Sequence, residues 1–155
     1  MKRSAGILLH RGGVGGDGSR EVLLVHPGGP FWAKRDDGAW SIPKGEYEDG
    51  EEPQAAALRE FEEEIGSALD AVGDLVELGD VRQKNRKVVT AWAAEGDVDA
   101  SAVRSNTFEM EWPPRSGKRQ EFPEIDRAGW FPLAQARVKL IEAQKAFLDR
   151  LEERL

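Results

Sequence analysis

The sequence predicts an α/β protein in which a mixed sheet lies between layers of helices. Apolar, strand-like segments occur both before and after an amphipathic helix pattern in the middle of the chain. A second helix pattern fills the C-terminal end, and this order of elements is typical of helices packed on both faces of a sheet. The 155 residues fit the usual size of one domain, so we expect residues 1–155 to form a single domain with a sizeable core.

Two strands are predicted near the start of the chain, at residues 4–11 and 20–26. Between them, Gly13, Gly15 and Gly18 satisfy the spacing G-x-G-x-x-G, which in a dinucleotide site opens a helix after a strand. Because a second strand follows here instead, we interpret this segment as a flexible hairpin loop. The next stretch, up to Trp40, holds too many turn formers for regular structure, and we expect it to overhang the functional site.

The central helix pattern has recognisable ends. Pro53 suits the first helical turn, where its missing N–H costs nothing, and Gly66 suits the residue just past the end. At about 100° per residue, one face of this helix is apolar and collects Ala57, Leu58, Phe61 and Ile65. We therefore predict a helix that packs on the sheet through this face.

Three carboxylates flank the apolar face of the same helix. Glu60, Glu63 and Glu64 fall together within about 100° of arc, whereas Glu62 falls outside it. Like charges at these spacings destabilise a helix, and Arg59 is a single positive partner for three acids. A charge run is usually a solvated helix face, but such a face would scatter Lys or Arg among the acids. The pattern therefore predicts a hard divalent cation beside the helix.

Further strands are predicted after the helix. Residues 75–83 and 86–96 indicate a hairpin that turns at Lys84 and Asn85. Residues 107–112 alternate apolar and polar side chains, which is typical of a strand with one buried face.

The remainder of the chain is expected to alternate loop, strand and helix. Residues 113–120 indicate an exposed loop, and residues 128–131 a short strand. Residues 133–155 carry apolar side chains at helical spacing and predict a terminal helix on the sheet, with a break near Leu140.

Composition narrows the classes of function. The absence of cysteine excludes disulfides, thiolate zinc sites and a cysteine nucleophile, and two histidines leave little for a zinc enzyme. The net charge of −7 argues against binding long nucleic acid, but a small nucleotide can arrive as a magnesium complex. No apolar run approaches the ~18 residues that span a bilayer, and Arg11 interrupts the N-terminal apolar run before any signal-peptide cleavage site. We expect a cytoplasmic protein with no membrane partner, and its oligomeric state stays open.

A longer motif surrounds the helix carboxylates. Residues 45–67 match the signature G-x5-E-x7-R-E-U-x-E-E-x-G-U, where U is a bulky apolar residue, at every position except the last, which is Ser67. The segment WSIPKG at residues 40–45 precedes it, as in the usual entry to this motif. On these residues the chain resembles the Nudix hydrolases.

The resemblance implies a fold, a cofactor and a reaction. It implies an α/β/α sandwich in which Glu60, Glu63, Glu64 and the carbonyl of Gly45 bind Mg²⁺ or Mn²⁺. It also implies that Arg59 and Glu51 orient these carboxylates, so we count Arg59 with the three glutamates as catalytic candidates. The expected reaction is hydrolysis of a nucleoside diphosphate linked to another moiety, with a dinucleoside polyphosphate or a nucleoside triphosphate as the substrate.

The general base stays open, because family members take it either from the motif or from a later loop. Glu63 is our first choice within the motif. Glu121 and Glu124 precede the last predicted strand and are candidates for an additional ligand or base, with a plain surface acid as the alternative.

Other candidates concern substrate binding. Lys44 stands next to the implied metal loop and is expected to meet a phosphate. Trp40 and Tyr47 are the first choices for stacking on a base, ahead of Trp32, Trp92 and Trp112. Two alternatives to a hydrolase remain, namely a regulatory domain that binds nucleotide without cleaving it, and an isomerase of the same family.

Overall fold

The computed structural model describes residues 2–12 and 19–155 of the chain. The pattern formed by Gly13, Gly15 and Gly18 lies outside the described residues, so its interpretation as a hairpin loop stays a prediction. The strands and helices are, in chain order, β1 (Lys2–Arg11), β2 (Glu21–Pro27), β3 (Lys44–Glu46), α1 (Pro53–Ile65), β4 (Val76–Gln83), β5 (Lys87–Glu95), β6 (Thr107–Glu111), β7 (Arg119–Pro123), β8 (Ile125–Pro132), α2 (Leu133–Lys139) and α3 (Lys145–Glu152).

The main sheet is mixed, as predicted. Its strands follow the order β4-β5-β1-β2-β8, and β3 pairs with β1 beside this path. The central pair β1–β5 is parallel, whereas the other pairings in this sheet are antiparallel. Strands β6 and β7 form a separate two-stranded ribbon between β5 and β8 in the chain. The predicted strand at residues 107–112 therefore belongs to this ribbon and is not part of the main sheet.

Helices cover both faces of the sheet, which confirms the α/β/α prediction. Side chains alternate across β1, so Ile7 and Leu9 face α1 while Leu8 faces the C-terminal helices. The face with α1 includes Phe61, and the opposite face includes Phe147 of α3. None of the helices in the described residues is long and apolar enough to cross a membrane.

Helix α1 begins at Pro53 and is capped by Gly66 at φ 90°, as the sequence predicted. The predicted apolar face is wrong at one residue, Leu58. Leu58 is 37% exposed, whereas Ala56 is fully buried. The buried stripe consists of adjacent pairs four residues apart, namely Ala56 and Ala57, Glu60 and Phe61, and Glu64 and Ile65. Two carboxylates therefore lie inside the buried face, and a leucine lies at its margin.

Two strands escaped prediction, and the terminal helix is divided. Strand β3 has only three residues and β7 carries mostly polar side chains, so neither shows an apolar pattern. The predicted break near Leu140 is confirmed, since Leu140 is extended at φ −68°, ψ 147° between α2 and α3.

Candidate functional site

The site starts with a close approach between β3 and α1. Gly45 lies in β3, where it pairs with Ala5 of β1. Glu60 packs so closely against Gly45 that a Cβ atom at this position would collide with both carboxylate oxygens of Glu60. Any larger residue would displace the Glu60 carboxylate, and the Gly45 backbone therefore lies in contact with this buried acid.

Arg59 connects three of the acids. Its Nε and Nη2 donate to the two oxygens of Glu51 at 2.8 and 2.9 Å, and its Nη1 donates to Glu60 Oε1 at 2.8 Å. The same Nη1 lies 3.3 Å from both carboxylate oxygens of Glu63. The hydrogen bond from Arg59 lowers the pKa of Glu51, and those to Glu51 and Glu60 raise the pKa of Arg59. Arg59 therefore stays charged and fixes the positions of its acidic partners.

Glu64 is buried beside Lys44. The backbone N–H of Lys44 donates to Glu64 Oε2 at 3.1 Å. Burial raises the pKa of Glu64 to about 8, and the nearby charges of Glu60 and Glu124 act in the same direction, while Lys44 opposes the shift. Burial, followed by the charge of Lys87, lowers the pKa of Lys44. Burial therefore disfavours the charged form of each group, and the attraction between their opposite charges opposes this effect.

Glu124 belongs to the same group of acids. Burial raises the pKa of Glu60 above its ordinary value, and the charges of Glu63 and Glu124 contribute. Burial and the charge of Glu63 likewise raise the pKa of Glu124. Three carboxylates of α1 and that of Glu124, which lies between β7 and β8, are therefore close enough to repel one another. We call Glu60, Glu63, Glu64 and Glu124 the carboxylate group.

Glu121, the other acid considered outside the motif, lies elsewhere. It is an exposed residue of β7 and pairs with Glu109 of β6 in the ribbon. Glu124 comes only three residues later, but it follows the end of the ribbon and its N–H donates to Asn106 O at 2.9 Å. The structure therefore brings Glu124 to the carboxylate group and leaves Glu121 outside it.

The donor chemistry of the carboxylate group fits Mg²⁺ or Mn²⁺. Both ions prefer oxygen ligands, and here four acids have Arg59 and Lys44 as positively charged neighbours. Within residues 2–12 and 19–155, no three acidic or histidine side chains converge on one point. Arg59 Nη1 lies between Glu60 and Glu63, and the Glu63 side chain is 42% exposed. The Glu63 carboxylate therefore lies at the solvent-exposed edge of the carboxylate group, where it contacts Arg59.

Of the two aromatic residues chosen for base stacking, Trp40 lies on the far side of the sheet from this group. Trp40 is 5% exposed and packs in the core on the side of the sheet opposite to α1, with Phe131 at 5.0 Å between ring centroids. Its Nε1 donates to Asp36 Oδ1 at 2.8 Å. Tyr47 is half-buried against the core that contains α1. Trp40 is therefore corrected to a core residue, because its ring is enclosed on the far side of the sheet.

Two depressions of the surface lie away from this site. One depression lies between β4 and α3 and is lined by Glu77, Leu78 and Arg150 among others. Another lies at the far end of β1 and includes His10 and Arg20. Neither contains a residue of the carboxylate group, so the site is recognised by its buried charges.

The resemblance implied an α/β/α sandwich in which a helix with carboxylates lies next to Gly45, and α1 and β3 have this arrangement. The NUDIX domain model matches residues 2–151. The chain therefore belongs to the Nudix family.

The similar sequences match only part of the chain, whereas the similar structures cover nearly all of it. The chain is 43% identical over 67 residues to an RNA pyrophosphohydrolase of Rhodospirillum rubrum, which covers 41% of this chain and 37% of that protein. The chain thus spans little more than a third of the length of this relative. Its structure resembles that of a C. elegans Ap4A hydrolase binary complex, with a TM-score of 0.64, 20% identity and coverage of 99% and 96% of the two chains. It also resembles the NUDIX domain of Shewanella oneidensis NrtR complexed with ADP ribose, with a TM-score of 0.60, 15% identity and coverage of 98% and 86%.

Proposed function

We propose that this chain is a metal-dependent pyrophosphohydrolase that cleaves a nucleoside diphosphate linked to another moiety. The observation that carries the proposal is the burial of Glu60 and Glu64 in the packed face of α1, where burial raises the pKa of each. Burying acids beside like charges costs free energy unless a cation offsets it. A phosphoanhydride is the substrate class that needs such a cation, because its own oxygens repel an attacking nucleophile.

The proposed ligands are Glu60, Glu63, Glu64 and the carbonyl oxygen of Gly45. A bound Mg²⁺ or Mn²⁺ would offset the charge of the phosphate oxygens and acidify water. Arg59 holds Glu60 in place through the hydrogen bond from Nη1, while its other two nitrogens are fixed by Glu51. The tight packing of Gly45 against Glu60 keeps the backbone next to this acid.

Lys44 and one further acid complete the proposed chemistry. Lys44 lies beside Glu64, where its ammonium can meet a substrate phosphate as a point charge. Water attacks phosphorus, the anhydride P–O bond breaks, and the proton of the water passes to a carboxylate. Glu63 is our first assignment for this base. Glu124 is the second, because burial and the charge of Glu63 raise its pKa and so strengthen its hold on a proton.

The substrate proposal follows the same class of bond. The similar proteins include an RNA pyrophosphohydrolase and an Ap4A hydrolase, which favours a nucleotide with a phosphoanhydride bond as the substrate of this chain. We propose a dinucleoside polyphosphate or a nucleoside triphosphate, and the partial similarity to RNA pyrophosphohydrolases adds a 5′-triphosphorylated RNA end as a second candidate. We further propose that residues 1–155 act as one catalytic domain.

A panel of substrates tests this proposal. Nucleoside triphosphates, dinucleoside polyphosphates, 5′-triphosphorylated RNA, nucleotide sugars and ADP-ribose are incubated with Mg²⁺ or Mn²⁺, and the products are resolved by chromatography. We expect metal-dependent cleavage of a phosphoanhydride in at least one class, abolished by chelator. Tight nucleotide binding with no turnover of any compound would contradict the proposal and would support a regulatory domain instead.

A further inference from the structure

Two consecutive aromatic side chains, Phe31 and Trp32, lie exposed in the loop between β2 and β3. Phe31 is 64% exposed and Trp32 is 38% exposed. Large apolar side chains exposed next to each other mark a binding surface more often than isolated ones do. We predicted from the sequence that this loop overhangs the functional site. Trp40 was preferred to Trp32 for base stacking, and Phe31 was not among the candidates.

The loop is anchored next to the carboxylate group. The N–H of Gly28 donates to the carbonyl oxygen of Glu124 at 2.8 Å. A Cβ atom on Gly28 would collide with the carbonyl oxygen of Pro123, so the two backbones lie in direct contact. Three residues span at most about 11 Å, which places the backbone of Phe31 within that distance of Gly28. The exposed aromatics therefore start one short loop away from an acid of the site.

Contacts hold the two rings in place at the surface. The ring of Phe31 meets that of Trp112 edge to face, with centroids 5.6 Å apart and planes at 82°. The guanidinium carbon of Arg35 lies 5.6 Å from the ring centroid of Trp32. Backbone hydrogen bonds from Trp32 to Gly29 and from Arg35 to Trp32 fold the loop into successive turns. The aromatic faces are therefore supported by the β6–β7 ribbon and by the turns of the loop.

Positive charge accompanies these rings. Lys34 and Arg35 follow after Ala33 and are exposed, in a chain whose net charge is −7. The next two residues, Asp36 and Asp37, are acids, but both accept hydrogen bonds from Lys139 Nζ, at 2.8 and 3.0 Å. Exposed aromatic faces next to cations are the combination that binds bases and phosphates in nucleotide-binding proteins.

We propose that Phe31 and Trp32 form the stacking surface for a nucleobase of the substrate, and that Lys34 and Arg35 attract its phosphates. This inference rests on the proposed function, since it assigns the base-binding part of the same site. The occupant is a nucleobase because the surface combines flat apolar rings with positive charge and continues from the carboxylate group through the Gly28–Glu124 hydrogen bond. These two residues replace Trp40 in the recognition of the base.

Comparing substrates with and without a base tests the inference. Inorganic tripolyphosphate carries the same phosphoanhydride bonds as a nucleoside triphosphate but has no base. We expect Phe31→Ala and Trp32→Ala each to raise KM for the best nucleotide about tenfold with little change in kcat, and to leave tripolyphosphate cleavage unchanged. Phe31→Tyr and Trp32→Phe keep an aromatic face and should restore KM. Val72→Ala, which truncates a 69% exposed side chain, serves as the matched control.

A second measurement separates stacking from hydrolysis. In chelator, a nucleoside monophosphate should quench tryptophan fluorescence of the wild type, and the part of the quenching due to Trp32 should be absent from Trp32→Phe. Unchanged KM in both alanine variants, or equal losses on nucleotide and tripolyphosphate, would overturn the stacking surface and leave the hydrolase proposal standing. A wild type that cleaves neither compound but still shows quenching that depends on Trp32 would overturn the hydrolase proposal alone. Absence of both cleavage and quenching would overturn both.

Discussion

The guanidinium of Arg59 donates two parallel hydrogen bonds to the carboxylate of Glu51, from Nε at 2.8 Å and from Nη2 at 2.9 Å. This two-point contact fixes the plane of the guanidinium, so that the remaining nitrogen, Nη1, points to Glu60. Glu51 thereby acts on the carboxylate group through Arg59 and needs no direct contact with it. The importance of this geometry, as distinct from the charge of Arg59, is open to a direct test.

Arg59→Lys keeps the positive charge but cannot reproduce the planar fork of hydrogen bonds. We therefore expect kcat to fall by about ten- to a hundredfold, which corresponds to about 1.4–2.7 kcal/mol at about 1.36 kcal/mol per decade. Steady-state kinetics on the best substrate of the panel provides the measurement. Wild-type kcat in Arg59→Lys would show that only the charge of Arg59 matters.

Glu63→Gln should reduce turnover by orders of magnitude while the fold is retained. The substitution preserves shape but removes a charge that we assign to metal binding or to proton transfer. Glu62→Gln is the matched control, because Glu62 is an exposed neighbour on the same helix and lies outside the carboxylate group. Both variants are assayed for kcat and for melting temperature. A loss at Glu62 as large as that at Glu63 would mean that the assignment of helix faces is incorrect.

Periodicity predicted the positions of the helix acids because α1 is long enough to fix which residues share a face. Along α1, Glu60 and Glu64 are buried and Glu62 is exposed, as the rotation of 100° per residue indicates. Glu63 is exposed as well and contacts Arg59 at the edge of the carboxylate group. The ends of the helix were equally legible, since Pro53 and Gly66 have conformational preferences of their own.

The positions of the other candidate residues depend on tertiary packing, and no local sequence pattern predicts them. Glu121 and Glu124 are three residues apart with similar neighbours, but only Glu124 leaves the ribbon at a point next to α1. Trp40 was chosen because it is close to Gly45 in the chain, but the bridges from Ser41 to Val25 and from Trp40 to Leu140 carry its ring to the opposite face of the sheet. Nearness in sequence is a poor guide where backbone pairing decides the direction of a side chain.

Lys44→Ala should reduce kcat/KM by about ten- to a hundredfold, about 1.4–2.7 kcal/mol at about 1.36 kcal/mol per decade. The reason is the loss of a positive charge from the β3 residue whose backbone N–H donates to Glu64, which we propose meets a substrate phosphate. Lys84→Ala removes an exposed lysine from the turn between β4 and β5 and is the control. Equal kcat/KM values for the two variants and the wild type would contradict a role for Lys44 in substrate binding.

Without metal, the free energy of unfolding should fall as the pH rises from about 5 to about 8. Burial raises the pKa of Glu64 from 4.5 to about 8, so the native protein keeps a proton that the unfolded chain releases. The stabilisation by this proton is complete below the unfolded pKa and is lost as the pH passes the folded pKa. Glu60 and Glu124, whose pKa values are also raised, act in the same direction.

Urea denaturation in the presence of chelator, at several pH values in this range, measures the effect. Glu64→Gln should flatten the decline, because glutamine does not titrate, whereas Glu62→Gln should follow the wild type. Stability that rises with pH in the wild type, or an unchanged slope in Glu64→Gln, would contradict a buried carboxyl with a raised pKa at this position.

Calorimetric titration with Mn²⁺ tests the central claim most directly, since the account depends on a cation held by the carboxylates of α1. The wild type and Glu62→Gln should show a saturable binding isotherm. A variant with glutamine at positions 60, 63 and 64 should show none while its circular dichroism stays native. At a hundredfold excess over Kd, the bound cation should add about 2.7 kcal/mol to the free energy of unfolding. No isotherm for the wild type with or without nucleotide, or the same isotherm in the triple variant, would contradict the account.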